Sequence, residues 1–106
     1  MPINLGINPA SLIPGEFTLH QNYPNPFNPI TTIRFDLPVA TEVHLAVYTL
    51  LGHEVARLTN RHLNPGFHRV VWNARDSRGR ELPTGMYIVL LATPEFRKTI
   101  KIVLLK

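Results

Sequence analysis

Cysteine is absent from this chain of 106 residues. Disulfide bridges and thiolate chemistry are therefore excluded, and stability must come from one packed core. A cysteine-free chain suits the cytosol and equally an exported domain without bridges, so the compartment stays open. Apolar residues make up 44% of the chain, which is too much for a disordered chain and enough for a single globular domain.

Long apolar runs are also missing. No segment approaches the roughly 20 apolar residues of a membrane-spanning helix, so membrane insertion is not expected. The opening MPINLGINPASLIPGE has neither the basic start nor the apolar centre of a signal peptide. Its prolines and glycines interrupt every element, which predicts a linker over residues 1–16 and a folded domain over residues 17–106. These features fit a cytosolic protein or a domain of a longer exported one.

No dense cluster of one charge sign stands out. The formal net charge is +4, from 11 Lys and Arg against 7 Asp and Glu. The bases are scattered, and only the final segment FRKTIKIVLLK concentrates them. Nucleic-acid domains show a denser basic face with aromatics between the charges, so a nucleic-acid partner is not expected.

Helical periodicity is absent too, and strand alternation dominates. TTIRFDL places Ile33, Phe35 and Leu37 on one face, and EVHLAVYT places Val43, Leu45 and Val47 inward with Ala46 outward. EVARL predicts a short third strand, and the strand after the Pro-Gly turn has Val70 and Trp72 inward. MYIVLLAT is apolar on both faces, as in a central strand, and FTLHQ predicts a short first strand.

Together with the last segment, these strands predict an all-β fold, an antiparallel immunoglobulin-like β-sandwich of about seven strands. Trp72, Phe35 and Tyr87 are the predicted centre of the core. The last strand is predicted over residues 96–106, with Ile100, Ile102 and Leu104 facing the core and Lys101 facing out. Because an open sandwich has sheet edges, weak self-association through an edge strand is expected.

A proline-rich segment precedes the first clear strand. We call residues 23–29 the ribbon; it consists of Tyr23, Pro24, Asn25, Pro26, Phe27, Asn28 and Pro29. Each proline fixes its own φ and keeps the preceding residue out of the helical region, which predicts a stiff, extended structural segment. The amides of Asn25 and Asn28 are candidates to supply the missing donors. Both aromatic rings are predicted to be largely buried. The alternative is a proline-rich ligand for an aromatic groove.

No catalytic constellation can be assembled from the sequence. Ser11 lies in the linker and Ser77 in a turn, neither in a nucleophile elbow. The carboxylates Asp36, Glu42 and Glu54 occupy outward strand positions, and nothing marks an acid–base pair. The five histidines lack the spacing of a metal site, and Asp76 in DSRGRE predicts a tight turn rather than a calcium loop. We therefore expect no enzyme activity, no cofactor and no metal.

One pair of aromatic residues allows a different function. Trp72 with Tyr48 would form a sugar-stacking platform in a carbohydrate-binding module, although a lone Trp inside a strand is more typical of a core. A carbohydrate-binding or structural immunoglobulin-like accessory module of a secreted hydrolase is therefore the alternative function.

Several motifs resemble one known family. FTLHQNYPNPFNPITTIRFDLP is similar to the opening of the type A C-terminal sorting domains of the type IX secretion system. VHLAVYTLLGHEVARL, NPGFHRVVWNARDSRGRELPTGMYIVLL and KTIKIVLLK resemble the strands and turns that follow it, so the resemblance covers residues 17–106. The immunoglobulin-like domain of flagellar hook-capping proteins is similar as well.

The resemblance implies a secretion address rather than an active site. A cargo protein N-terminal to such a domain crosses the periplasm and is delivered through an outer-membrane translocon to the cell surface or the medium. A sorting peptidase cuts in the preceding linker, here expected within residues 1–16. The residues that the family implies for recognition by the translocon are Gly85, Tyr87, Lys98, Lys101 and Lys106.

Overall fold

Seven β-strands build the chain in a computed structural model that describes residues 12–106. They are β1 (Thr18–Leu19), β2 (Thr31–Leu37), β3 (Thr41–Thr49), β4 (Glu54–Leu63), β5 (Gly66–Trp72), β6 (Gly85–Ala92) and β7 (Arg97–Leu104). One antiparallel sheet has the order β1-β2-β5 and the other has the order β4-β3-β6-β7. The predicted all-β sandwich is confirmed.

The core lies between the two sheets and follows the period of two. Ile33, Phe35 and Leu37 of β2 are fully buried, and so are Leu45 and Val47 of β3. β6 lies between β3 and β7, which confirms that this apolar segment is an inner strand. The three predicted centres of the core are buried as well. Burial of each large apolar side chain contributes about 1.5–3 kcal/mol to the free energy of unfolding.

The predicted extents of two strands are wrong, and one residue that was predicted to face outward is nevertheless buried. β4 runs over ten residues, not five, because register shifts against β3 break the alternation that would reveal its length. Ala46 lies on the outer face yet is fully buried, since the side chains of His44 and Tyr48 meet across it at 3.0 Å. β7 ends at Leu104, two residues before the predicted end.

Two inward positions are only partly covered. Val70 and Ile100 are half-buried, although both were predicted to face the core. Each belongs to a terminal strand of its sheet, β5 or β7. In addition, β1, which packs against β7, is only two residues long. The sandwich therefore shields the centre of its core better than its edges.

The ribbon joins the two sheets through its backbone. The Tyr23 N–H donates to the Thr32 carbonyl at 3.0 Å, and the Thr32 N–H donates back at 2.9 Å. Four residues later, the Phe27 N–H donates to the Val103 carbonyl at 2.9 Å, and the Leu105 N–H donates to the Phe27 carbonyl at 3.0 Å. The ribbon thus pairs with β2 on one side and with the end of β7 on the other.

The two aromatic rings of the ribbon lie in opposite environments. Phe27 is 2% exposed and packs against Trp72 with 5.9 Å between ring centroids. Tyr23 is 77% exposed, so the prediction that both rings are buried is wrong for Tyr23. Tyr23 pairs with Thr32, and the residues on either side of Thr32 in β2 face the core. Because side chains alternate along a strand, Thr32 and the ring of Tyr23 lie on the outer face of the sheet. The ribbon also bends at residues 24–26 and 28–29, so it is not extended throughout.

Side chains satisfy the polar groups around the ribbon. The Asn22 amide donates to the Pro24 carbonyl at 3.2 Å and to the Thr31 hydroxyl at 2.9 Å. Asn25 acts as an acceptor instead, since its Oδ1 receives the Val103 N–H at 2.9 Å. The expectation that Asn25 supplies a donor is therefore wrong, and the buried Asn22 fills that role.

Candidate partner-recognition surface

The residues implied for recognition all lie on or beside the β6–β7 pair. Gly85 opens β6 and pairs with Leu104 near the end of the chain, and Tyr87 pairs with Ile102. Lys101 lies opposite Ile88, and Lys98 lies opposite Leu91. Lys106 follows the end of β7. The sheet register thus places these residues along one hairpin, whose open end carries Gly85 and Lys106.

Tyr87 is not a surface residue. Its side chain is 6% exposed, and its hydroxyl donates to the Pro83 carbonyl at 2.6 Å. Burial raises the pKa of Tyr87, so the hydroxyl stays protonated and remains a donor at neutral pH. The hydrogen bond fixes the loop that leads into β6 at the position of Pro83. Tyr87 therefore shapes the surface around Gly85 without being exposed on it.

Gly85 is half-exposed and uncrowded. A Cβ atom built at this position meets no atom within 4 Å. Neither packing nor the close approach of another backbone segment within the domain therefore requires glycine at this position. The position is suited to a test of recognition, because alanine there leaves the surrounding contacts unchanged.

The three lysines do not form one patch. Lys101 lies opposite Ile88 on the outer face of the four-stranded sheet, whereas Lys98 lies opposite the fully buried Leu91 and so belongs to the other face of β7. From Leu104 back to Lys98 the strand spans roughly 20 Å. The Lys106 Nζ lies 3.8 Å from the Glu81 Oε2. Lys101 and Lys106 are thus the basic side chains nearest to Gly85 along the hairpin, and Lys98 is distant from them.

A polar cluster on the outer face of the same sheet was not anticipated as a unit. The His44 Nε2 lies 3.0 Å from the Tyr48 hydroxyl, which donates to the Glu54 Oε1 at 3.4 Å. The Arg57 guanidinium donates to the Glu54 Oε2 at 3.0 Å. Burial, followed by the negative charge of Glu54, raises the pKa of Tyr48. The members are spread over two strands, so only the register of β3 with β4 brings them together.

The sugar-stacking platform that was considered as an alternative is not formed by Trp72 and Tyr48, and the core position favoured for Trp72 is confirmed. Trp72 is 4% exposed, and its indole N–H donates to the Arg75 carbonyl at 3.0 Å inside the domain. Tyr48 lies on the outer face of the other sheet, within the polar cluster. The two rings therefore have no common exposed surface on which a sugar would stack.

The DSRGRE segment forms the predicted tight turn. The Asp76 Oδ1 accepts the backbone N–H groups of Arg78 and Arg80, each at 2.9 Å, and the Arg80 side chain donates to Oδ2 at 3.0 Å. The hydrogen bond from the Arg80 backbone is the largest of the effects that lower the pKa of Asp76. Both carboxylate oxygens are thus used by the turn itself. Over residues 12–106, no three acidic or histidine side chains gather in a metal-binding group.

In the described part of the chain, no helix has the length and apolar content needed to cross a membrane.

Comparisons with known proteins point to one family. A profile of the secretion system C-terminal sorting domain matches residues 21–105. A search among curated proteins gives no match. The span of the profile begins just before the ribbon and ends one residue after β7, so it includes every strand from β2 onward.

Two solved structures share the fold. One is PorZ, an essential bacterial surface component of the type-IX secretion system of Porphyromonas gingivalis, with 21% identity and a TM-score of 0.56 over 83% of this chain. The other is dimeric latent PorU from the same organism, with 15% identity and a TM-score of 0.62 over 82% of this chain. This chain spans only 11% of the length of PorZ and 9% of that of PorU.

Proposed function

This chain belongs to the family of secretion system C-terminal sorting domains, and we propose that its folded sandwich, rather than a short linear motif, is what the secretion machinery recognises. The domain is a sorting signal of the type IX secretion system and directs the secretion of the protein to which it is joined. The cargo is a secreted protein that reaches the cell surface or the extracellular space. The observation that carries the proposal is that the family profile spans residues 21–105, which is almost the whole sandwich.

The fold supports recognition of a folded unit. The ribbon at the start of the match bonds to Val103 and Leu105 near its end. The two ends of the matched segment therefore meet only when the domain is folded. A partner that contacts the segment after β7 would find it beside Gly85 only in the folded hairpin, because Gly85 pairs with Leu104.

The partners follow from this role. We infer that the cargo lies N-terminal to the domain, crosses the periplasm and is passed to an outer-membrane translocon that binds the sandwich. A sorting peptidase would then cut within residues 1–16, of which residues 1–11 lie outside the described residues. The domain itself has no catalytic role in this scheme.

Within the hairpin we assign different roles to the implied residues. Lys101 and Lys106 present positive charge to acidic groups of the translocon, and Gly85 leaves room for the backbone of a partner to approach. Tyr87 acts indirectly, because its hydroxyl holds the Pro83 loop next to Gly85. Lys98 lies on the other face of β7 and contributes least.

The charge assignment predicts a loss of export without a loss of folding. Reversing Lys101 to Glu and deleting Lys106 should reduce delivery of a fused reporter to the cell surface about tenfold or more, because the change removes attraction to acidic groups of the translocon. The fold should remain intact because both side chains are exposed. Delivery is measured by surface immunolabelling in a bacterium with a type IX system, and folding of the purified variant by circular dichroism.

A control matched to the reversal of Lys101 separates the effect of its position from the effect of net charge. Arg61 is an exposed base on β4 that forms no salt bridge within residues 12–106. The change Arg61→Glu should leave export unaltered, whereas Gly85→Ala should impair export with stability unchanged. Normal delivery of the folded variant with Lys101→Glu and without Lys106 would rule out recognition of these lysines.

A further inference from the structure

The edge strands of the two sheets are not equally protected from pairing with a further strand. β7 is covered near its end, where the Gln21 amide donates to the Lys101 carbonyl at 2.8 Å and the ribbon bonds to Val103. β4 is covered over its first half, where the Ser77 N–H donates to the Val55 carbonyl and the Ser77 hydroxyl accepts the Arg57 N–H. β4 also carries register shifts, which discourage pairing with another strand.

β5 lacks such cover. It is the last strand of its sheet and pairs only with β2, in an unbroken register from Gly66 to Trp72. None of the hydrogen bonds within residues 12–106 reaches the far side of its backbone. Seven residues in regular strand geometry, open along one edge, are a template for an added strand.

The hydrogen bonds of β2 show which groups of β5 are free. Thr32 bonds to Tyr23, and the Arg34 carbonyl accepts from His20, so both residues direct their backbone groups away from β5. Their partners across the sheet are Val71 and Arg69. Because backbone direction alternates along an antiparallel pair, the N–H and C=O groups of Phe67, Arg69 and Val71 point to the open edge.

The side chains of the same three residues lie on the outer face of the sheet. Phe67 is 63% exposed and Val71 is 64% exposed. Arg69 lies between them, directly opposite Arg34 on β2. The open edge therefore presents an apolar, a basic and an apolar side chain in sequence, each two residues apart.

The central position carries an unbalanced charge. Arg34 and Arg69 form a cross-strand pair of like charges, which destabilises a sheet. Neither has a carboxylate within salt-bridge distance in the described residues. Asp36, an acid on the same face of β2, accepts a hydrogen bond from the His20 ring at 2.9 Å. A carboxylate on a strand next to Arg69 would relieve this repulsion.

We propose that the open edge of β5 binds an extended segment of a partner protein that has an acidic residue at its centre and apolar residues two positions to either side. The segment extends the sheet through the free backbone groups of Phe67, Arg69 and Val71, with its carboxylate next to Arg69. It also covers Val70, which the domain alone leaves half-buried. The interaction does not rest on the export function, so the two are tested separately.

A second copy of the chain is a poor occupant of this edge. If two β5 strands paired antiparallel through the free backbone groups of Phe67, Arg69 and Val71, Arg69 of one copy would lie opposite Arg69 of the other. That pairing adds a like-charge contact instead of removing one. The weak self-association expected from the sequence is therefore not the main use of β5.

The test uses the whole chain of 106 residues, with a short peptide as the probe. The blocked peptide TVTETVT should bind at least tenfold more tightly than TVTKTVT in a titration followed by NMR. On binding, the amides of Phe67, Arg69 and Val71 should become protected from hydrogen exchange. Those of His68 and Val70 serve as internal references, because the alternation directs them to β2. The change Arg69→Glu should reverse the preference between the two peptides.

A proline substitution provides the structural control. Val71→Pro removes an N–H that points to the open edge, so it should abolish binding while the sheet stays folded. Equal affinity for both peptides, no binding up to about 1 mM, protection on β4 instead of β5, or a β5-mediated dimer of the chain would each overturn the proposal.

Discussion

Replacing Phe27 with alanine is expected to lower the free energy of unfolding by about 3–5 kcal/mol, the usual cost of truncating a buried aromatic ring. The ring is 2% exposed and packs against Trp72 in the core. Its backbone also bonds to Val103 and Leu105, so the loss of the ring weakens the contact between the ribbon and β7. Domains of this size have a free energy of unfolding of only about 5–15 kcal/mol, so the variant should be largely destabilised.

Tyr23→Ala is the matched control, since it truncates an aromatic ring four residues earlier in the same ribbon. Its ring is 77% exposed, and the change should stay within about 0.5 kcal/mol. Urea unfolding of both variants, followed by circular dichroism, gives the two values. Equal effects of the two substitutions would show that the ribbon does not place its rings as described.

Ile102→Asp is expected to unfold the domain. Ile102 is fully buried in β7 and lies opposite Tyr87. The aspartate would place an unpaired charge in an apolar core, which costs more than a domain of marginal stability retains. Thermal denaturation should show no cooperative transition for this variant.

Substitution of Lys101, the residue before Ile102, should leave the domain folded. Lys101→Glu changes an exposed side chain on the other face of the strand and should alter stability by no more than about 0.5 kcal/mol. A cooperative transition for Ile102→Asp near that of the unchanged domain would contradict the assignment of the two faces of β7.

Local patterns were enough to predict much of the fold. The alternation in residues 31–37 and 42–49 marked the strands and their buried faces, because a sandwich buries every second residue. The same rule would have placed Lys98 and Lys101 on opposite faces of β7, since they are three residues apart. The alternation of the strand therefore separates the two lysines, although the family resemblance implies both for recognition.

The features that the sequence did not predict depend on pairing between residues that are distant in the chain. Proline geometry predicts a stiff ribbon, yet the exposure of Tyr23 depends on its pairing with Thr32, and the burial of Phe27 depends on Val103. Neither contact has a local signature. Similarly, the buried hydroxyl of Tyr87 is explained only by its bond to Pro83 in the folded loop.

Under the proposed function, the folded sandwich carries the sorting information. The most direct measurement is the fraction of a fused reporter delivered outside the cell by a bacterium with a type IX system, compared between the unchanged domain and Ile102→Asp. That variant keeps every residue of the hairpin surface and loses the fold. We predict efficient delivery for the first fusion and retention of intact reporter inside the cell for the second, with total amounts determined by immunoblot. Equal delivery by the two fusions, with the variant shown to be unfolded, would contradict recognition of the folded sandwich.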